Sequence, residues 1–206
     1  MNEPGVLVYV DKPMAVAIAA KLIGVLRTAT HNTKNAVSLN WLVGASTEAG
    51  DSNSDQTDLR EMLPEVLMYM LYQKIPSRGL SLEETVSKFV LGATGSLIPG
   101  DVVSTKGKME FPGLEKVPEF SPEMDSRVEL PLKARFFHGE ACVLAFLTDG
   151  AYRLPVYVPE TSKYQLAFCH EQPVEVTGVV RWVPPYSPGG ARALGLALRC
   201  AAVWLR

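Results

Sequence analysis

The chain has 206 residues, of which 47% are hydrophobic and 20% are charged, and its formal net charge is −2. This composition can build a packed core and excludes a disordered chain. The near-neutral charge argues against a general nucleic-acid binder, which usually carries a strongly basic face.

The first element in chain order is a strand followed by a helix. The run GVLVYV at residues 5–10 is β-branched and aromatic, which predicts a strand. Asp11 is a favoured helix N-cap, and Pro13 is tolerated in the first turn of a helix that we expect to end near Gly24. Residues 14–20 are apolar all round, so this helix should be buried or docked on a partner.

Two further helices are predicted before residue 98. The run TDLREMLPEVLMYMLYQK is helical, with a kink or restart at Pro64 and an Asp58–Glu61 capping box. The run SLEETVSKFVLG begins with a second capping box, formed by Ser81 and Glu84. Between the first two helices, AVSLNWLVG is predicted to be a strand.

Strands dominate after residue 98. We expect them in DVVSTKGKMEF, with a bulge at Gly107, and in RVELPLKARFF, CVLAFLTD and YRLPVYV. Asp149-Gly150 indicates a hairpin, and PETSKYQLAF a short helix. PVEVTGVVRWV and RALGLALRCAAVWL are predicted to be the last two strands.

This order predicts an α+β fold: a mainly helical N-terminal half with one or two strands over residues 1–98, and a small β-unit over residues 99–206. An OB-like five-stranded barrel carries a helix between its third and fourth strands. The predicted β-unit matches that order if one early strand is merged or discounted. An open sandwich is the alternative.

Three segments resemble an uncharacterised bacterial family of unknown function. They are VYVDKPMAVAIAAKLIG, PGDVVSTKGKMEF and VEVTGVVRWV. Members of that family begin with a Tyr-x-Asp strand-to-helix step and end in a β-rich domain. The resemblance implies no known activity.

No catalytic, cofactor or metal motif is recognised. The three histidines lack metal-ligand spacing, and the three cysteines form no Cys-x-x-Cys pair. The cysteines lie in apolar runs, where a thiol is inert. No Gly-x-Ser-x-Gly elbow is present, and the glycines of GATGSLIPG follow a helix instead of feeding one. We therefore expect no enzyme, no metal and no cofactor.

A binding protein is the preferred interpretation. In an OB-like barrel the loop joining the last two strands borders the ligand, and here that loop contains PPYSPGG. Aromatic faces stack bases and arginines hold phosphates, so single-stranded nucleic acid or a nucleotide is a candidate ligand. The predicted ligand-binding residues are Arg135, Arg181, Trp182, Tyr186 and Arg192.

The alternative is an oligomeric scaffold or an accessory subunit of a larger complex. Its predicted partner surface is the first helix, through Met14, Ile18 and Leu22. We expect a protein partner or a homo-oligomer and no membrane contact, since the longest apolar run is broken by Lys21. The sequence shows no secretory signal, which predicts a cytoplasmic protein.

Overall fold

The computed structural model describes residues 4–30, 62–89, 96–114, 132–182 and 195–206. Within them lie eight strands: β1 Val6–Val10, β2 Ser77–Leu80, β3 Val102–Glu110, β4 Ala134–Phe137, β5 Glu140–Asp149, β6 Tyr152–Pro159, β7 Pro173–Trp182 and β8 Leu196–Leu205. The same residues contain four α-helices: α1 Lys12–Thr30, α2 Pro64–Tyr72, α3 Leu82–Ser87 and α4 Lys163–Ala167.

Five of the strands close into a barrel. Its ring runs β3–β7–β8–β6–β5 and returns to β3 through pairing of residues 108–110 with residues 146–148. All contacts in the ring are antiparallel except β6–β8, which is parallel. Numbered among themselves in chain order, the barrel strands lie in the cyclic order 1-2-3-5-4, with α4 between the third and fourth. The closed barrel is compatible with an OB-like fold.

Alternation along each strand fills the barrel with apolar side chains. Val143, Ala145 and Leu147 of β5 point inward, and so do Leu154 and Val156 of β6. Two short helices pack against this core, since Leu82 of α3 and Leu166 of α4 belong to the same buried cluster.

The helices α1 and α2 cover part of the outside of the barrel. Ile18 of α1 and Leu71 of α2 pack with Val179 of β7 and Trp204 of β8 in a second buried cluster. The ring of Trp204 meets Tyr72 edge-on, with 5.3 Å between ring centroids. We call this helix-covered outside of β7, the second half of β8 and the first half of β3 the covered face.

The prediction of an α+β fold with a mainly helical N-terminal half is wrong. The described protein is strand-rich, and both N-terminal strands join the barrel's own sheet: β1 pairs with β8, and β2 pairs with β3. The prediction fails because a helix must bury its apolar side against another element. The helices α1 and α2 bury theirs against the outside of the barrel. The boundary between residues 98 and 99 stays a prediction.

Two local predictions also fail. The helix α1 continues past Gly24 to Thr30. The β3–β7 register runs unbroken through Gly107, so there is no bulge at that glycine. The register shift in β7–β8 lies between Thr177 and Gly178, where a Cβ on Gly178 would come within 2.8 Å of the Arg199 carbonyl oxygen. A glycine is therefore required for that close approach of two backbones.

Several local predictions are confirmed. Asp11 accepts a hydrogen bond from the Met14 N–H at the start of α1, and Ser81 and Glu84 form the reciprocal capping box of α3. Asp149 pairs with Tyr152 across a two-residue hairpin turn. The strand predicted in AVSLNWLVG and the Asp58–Glu61 capping box lie outside the described residues.

Candidate ligand-binding face

The outside of β4, β5 and β6, together with the second half of β3 and the first half of β8, forms what we call the open face. Directly paired residues on neighbouring strands point to the same side of a sheet. Lys108, Thr148 and Arg153 make one row across these strands, and Glu110, Phe146 and Pro155 make the next. A third row contains Leu144, Tyr157 and Arg199. These side chains point outward, because the intervening residues of β5 and β6 fill the barrel.

A groove of about 550 Å³ lies at one end of the open face. It is lined by Lys108, Glu110, Thr148, Asp149, Gly150, Ala151, Tyr152 and Arg153. Its walls carry two cations and two carboxylates, and the carboxylate of Glu110 accepts a hydrogen bond of 2.9 Å from the Thr148 hydroxyl. A groove with this lining offers donors and acceptors of both signs to a polar ligand.

Arg153 and Phe146 form the central feature of the open face. The guanidinium carbon of Arg153 lies 3.7 Å from the centroid of the Phe146 ring. Arg153 is exposed, whereas Phe146 is half-buried. This contact holds a planar cation against the sheet, with its outer surface turned toward solvent.

A second aromatic pair lies farther along the face. The rings of Phe137 and Tyr157 stack in parallel, 3.6 Å apart between centroids and 3° apart in orientation. Phe137 is buried, so the stack attaches β4 to the outside of the barrel. Burial raises the pKa of Tyr157 although the charge of Arg135 lowers it, which leaves the phenol neutral near pH 7.

Arg135 lies on the open face. It pairs with Cys142 of β5, six residues from Thr148 along the strand, so Arg135 and Arg153 are separated by about 20 Å. Phe136 points to the opposite side of β4, where its side chain is 87% exposed. These two neighbours cannot contact the same ligand surface.

Arg199 of β8 forms an ion cluster beside Tyr157. Its guanidinium donates to the carboxylates of Asp11 and Glu140, and its Nη1 donates to the Cys200 carbonyl at 2.7 Å. Burial alone would lower the pKa of Arg199, but the hydrogen bond to Glu140 and the charge of Asp11 raise it above the ordinary value. Arg199 is therefore a permanent cation in a site that is almost closed.

The remaining predicted ligand residues do not assemble around Arg135. Arg181 is half-buried on β7 and pairs with Ala197, so β5, β6 and β8 lie between it and β4 in the sheet order. Trp182 ends β7, and its side chain lies outside what the structure describes, as do Tyr186 and Arg192 altogether. In the sequence, Tyr186 lies between β7 and β8.

The predicted partner helix packs within the chain itself. Ile18 is buried in the second cluster, and Met14 and Leu22 are half-buried against the same cluster. A contact of these residues with another protein stays a prediction. The surface that carries Ile18 is already covered by residues of α2 and β8.

Sequence reasoning missed Phe146 and Arg153. A signal for them was present, since the two-residue Asp149–Tyr152 hairpin fixes the register that places Thr148 opposite Arg153. Alternation then puts Phe146 on the same outward side. Their stacking could not be read from this pattern, because it depends on side-chain rotamers.

The described residues show no activated nucleophile among the cysteines. Burial raises the pKa of Cys142 and Cys200, and it raises the pKa of Cys169 to about 11. All three are therefore neutral thiols near pH 7, where the thiolate is the reactive form. Within the same part of the chain, no cluster of three or more metal-ligating side chains is found.

No protein-family model matches the chain, and no curated protein matches it. The resemblance to an uncharacterised bacterial family therefore stays a prediction. Among the helices of the described residues, none combines the length and hydropathy that a membrane crossing requires.

Proposed function

We propose that this chain is a non-catalytic binding protein that holds single-stranded nucleic acid along its open face. The observation that carries the proposal is the exposed Arg153 guanidinium stacked on Phe146 at the edge of a groove of about 550 Å³. In OB-like barrels the outside of the second and third strands is the ligand face, and here these strands are β5 and β6.

The chemistry of the face suits alternating bases and phosphates. A base stacks on the planar guanidinium of Arg153. The N–H groups at the edge of that guanidinium can then donate hydrogen bonds to a phosphate. Lys108 lies in the same row and adds a second cation at the groove. Arg135, about 20 Å away along the face, provides a further cation for an extended strand.

The charge balance sets the strength of binding. The chain carries a net charge of −2, and carboxylates line the groove beside its cations. Because phosphate neutralisation provides most of the affinity for nucleic acid, we expect weak binding with a shallow salt dependence. Such a protein would recognise unpaired strands through stacking more than through charge.

A labelled single-stranded oligonucleotide tests this function by fluorescence anisotropy at low salt. Arg153→Ala should weaken binding about tenfold, since one stacked base is worth about 1–3 kcal/mol. The matched control is Arg78→Ala, which removes the same charge from β2, away from the open face. Absence of binding by the wild-type protein, or an equal loss in both variants, would overturn the proposal.

An oligomeric scaffold or accessory subunit is the second candidate, and one observation favours it. Leu63, Val66 and Tyr69 are spaced three residues apart at α2 and are 68%, 46% and 45% exposed. Light scattering should then give a mass above that of the monomer, and Val66→Asp should lower it. Ile18→Asp is unsuited to this test, because Ile18 is buried and a carboxylate there would unfold the protein.

A further inference from the structure

The guanidinium of Arg199 is bonded along three of its edges. Its Nε and Nη2 both approach Glu140 Oε2, at 2.7 Å and 2.6 Å. Nη2 also donates to Asp11 Oδ2 at 3.0 Å, and Nη1 donates to a backbone carbonyl. The Arg199 side chain is 8% exposed, so its orientation is fixed by the fold.

The two carboxylates that meet Arg199 are not equivalent. Asp11 is 9% exposed, and its other oxygen accepts the Met14 N–H as the cap of α1, so Asp11 is committed to structure. The Glu140 side chain is 52% exposed, and it follows directly after the turn at His138 and Gly139. Glu140 can therefore swing into solvent, whereas Asp11 cannot move without uncapping the helix.

The edge that Glu140 covers is the one best suited to an oxyanion. The Nε and Nη2 hydrogens of arginine form a planar fork that matches two oxygens of a phosphate or carboxylate. Glu140 presents a single oxygen to both nitrogens, which leaves its second oxygen without a role in this fork. A phosphate would use the same fork with two oxygens.

We propose that Arg199 is a phosphate site of the open face and that Glu140 occupies it in the free protein as an internal anion. This inference rests on the proposed function, because the phosphate would belong to the bound strand. Arg199 lies in the row of Tyr157, and Tyr157 pairs with Leu144, which is two residues from Phe146 on β5. Arg153 pairs with Thr148, four residues from Leu144 and therefore about 13 Å along the strand, and its guanidinium lies over Phe146. One extended ligand can therefore reach both Arg153 and Arg199.

The charges around Arg199 explain why an internal anion would limit binding. The cluster of Asp11, Glu140 and Arg199 carries a net charge of −1 with Glu140 in place and becomes neutral when Glu140 is removed. Arg135 is a second cation on the same side of the sheet, since it pairs with Cys142, two residues from Leu144 on β5. Displacing Glu140 thus exchanges one carboxylate contact of Arg199 for a phosphate contact. It also removes the repulsion between the Glu140 carboxylate and the approaching phosphate.

The test compares oligonucleotide affinity in Glu140→Ala and wild-type protein over a range of salt concentrations. We expect about tenfold tighter binding, the gain from one additional charge-assisted contact. The plot of log affinity against log salt should steepen by about 0.7, the value for one more phosphate contact on a single strand. The matched control is Glu160→Ala, since Glu160 is also a partly exposed carboxylate that pairs with a cation, Lys163, just after β6.

A second variant distinguishes two explanations of tighter binding by Glu140→Ala: an uncovered Arg199 and a less negative protein. Arg199→Lys in the Glu140→Ala background keeps the charge but removes the fork, so it should reduce the tenfold gain in affinity, whereas the salt slope, which counts charge, should stay steep. Thermal melting identifies loss of fold in either protein. Inorganic triphosphate gives an independent probe, because it should raise the melting temperature of Glu140→Ala more than that of Glu160→Ala.

The outcomes distinguish this inference from the function on which it rests. If wild-type protein binds and Arg153→Ala weakens it, but Glu140→Ala and Glu160→Ala behave alike, the Arg199 site is wrong and the function stands. If neither wild-type protein nor Glu140→Ala binds the oligonucleotide at low salt, both are wrong. A gain in affinity that Arg199→Lys leaves undiminished would also overturn the site.

Discussion

The covered face and the open face belong to the same barrel but differ in their polar side chains, which are buried and hydrogen-bonded on the first and exposed to solvent on the second. On the covered face, Glu175 is fully buried, and its carboxylate accepts hydrogen bonds of 2.7 Å from the hydroxyls of Tyr72 and Ser104. It also pairs with Arg206. On the open face, Lys108 and Arg153 remain exposed to solvent. One strand, β3, contributes to both, with Ser104 on the covered face and Lys108 on the open face.

The difference separates stability from function. Among the described residues, every buried side-chain nitrogen and oxygen has a hydrogen-bond partner, and the network under α2 is an example. A satisfied buried network positions the helices but cannot meet a ligand. The open face leaves charge and aromatic surface toward solvent, where a ligand can use them. Substitutions should therefore change stability on the covered face and binding on the open face.

The largest expected effect is that of removing a buried aromatic ring. Trp204→Ala should lower the free energy of unfolding by about 4 kcal/mol, because it leaves a cavity between α2 and β8 and removes the hydrogen bond from Nε1 to the Thr177 hydroxyl. Phe136→Ala is the matched control: its ring is 87% exposed, and stability should change by less than about 0.5 kcal/mol. Urea unfolding measures both, and similar losses would contradict the comparison.

A smaller effect is expected when a carboxylate is neutralised without changing its shape. Glu175→Gln should cost about 2 kcal/mol, since it removes the charge opposite Arg206 and gives a buried amide N–H₂ that needs an acceptor. Glu110→Gln removes the same charge from the half-exposed groove wall and should leave stability unchanged within about 0.5 kcal/mol. Equal unfolding midpoints for the two variants in urea would show that the covered network does not stabilise the fold.

Deleting one hydroxyl refines the comparison within α2 itself. Tyr72→Phe removes the donor to Glu175 and should cost about 1 kcal/mol. Tyr69→Phe alters a tyrosine three residues earlier that is 45% exposed, and its effect should be near zero. Thermal melting of both proteins gives the difference. A loss at Tyr69 as large as that at Tyr72 would mean that the helix surface, and not the buried network, responds to the substitution.

Much of the fold could be predicted from local patterns, because each strand alternates and each turn carries its own residues. The Asp149-Gly150 hairpin, the Ser81–Glu84 box and the final two strands all follow from neighbours in the sequence. The relation of the N-terminal half to the barrel could not be predicted in this way. The pairing of β1 with β8 joins residues near positions 6 and 205, and a burial pattern on one strand does not identify its partner.

Sequence reasoning named one residue of the open face. Arg135 lies on the open face, but its neighbour Phe136 points away, as regular alternation requires. Arg199 was overlooked because its two carboxylate partners are far from it in sequence, at positions 11 and 140. From the alternating pattern of its strand alone, Glu175 is predicted to be an ordinary solvent-facing residue. Its burial depends on where α2 lies, and a helix position on a sheet is a tertiary property.

The smallest expected effect concerns an exposed interaction whose strength depends on pH. The Glu84 carboxylate accepts the Ser81 backbone N–H at 2.7 Å, and this hydrogen bond, with that of the Ser81 side chain, lowers the pKa of Glu84 below its ordinary value of 4.5. Because the pKa of Glu84 is lower in the folded state, the ionised capping box stabilises α3 at pH values above the ordinary pKa. This contribution is lost as the pH falls through the lowered pKa. Wild-type protein should therefore be more stable than Glu84→Gln at pH 7, and the difference should vanish in acid. Urea unfolding across this pH range measures the effect, with Ser81→Ala as the control that removes the other half of the box. A difference that persists unchanged in acid would show that Glu84 acts through packing and not through its charge.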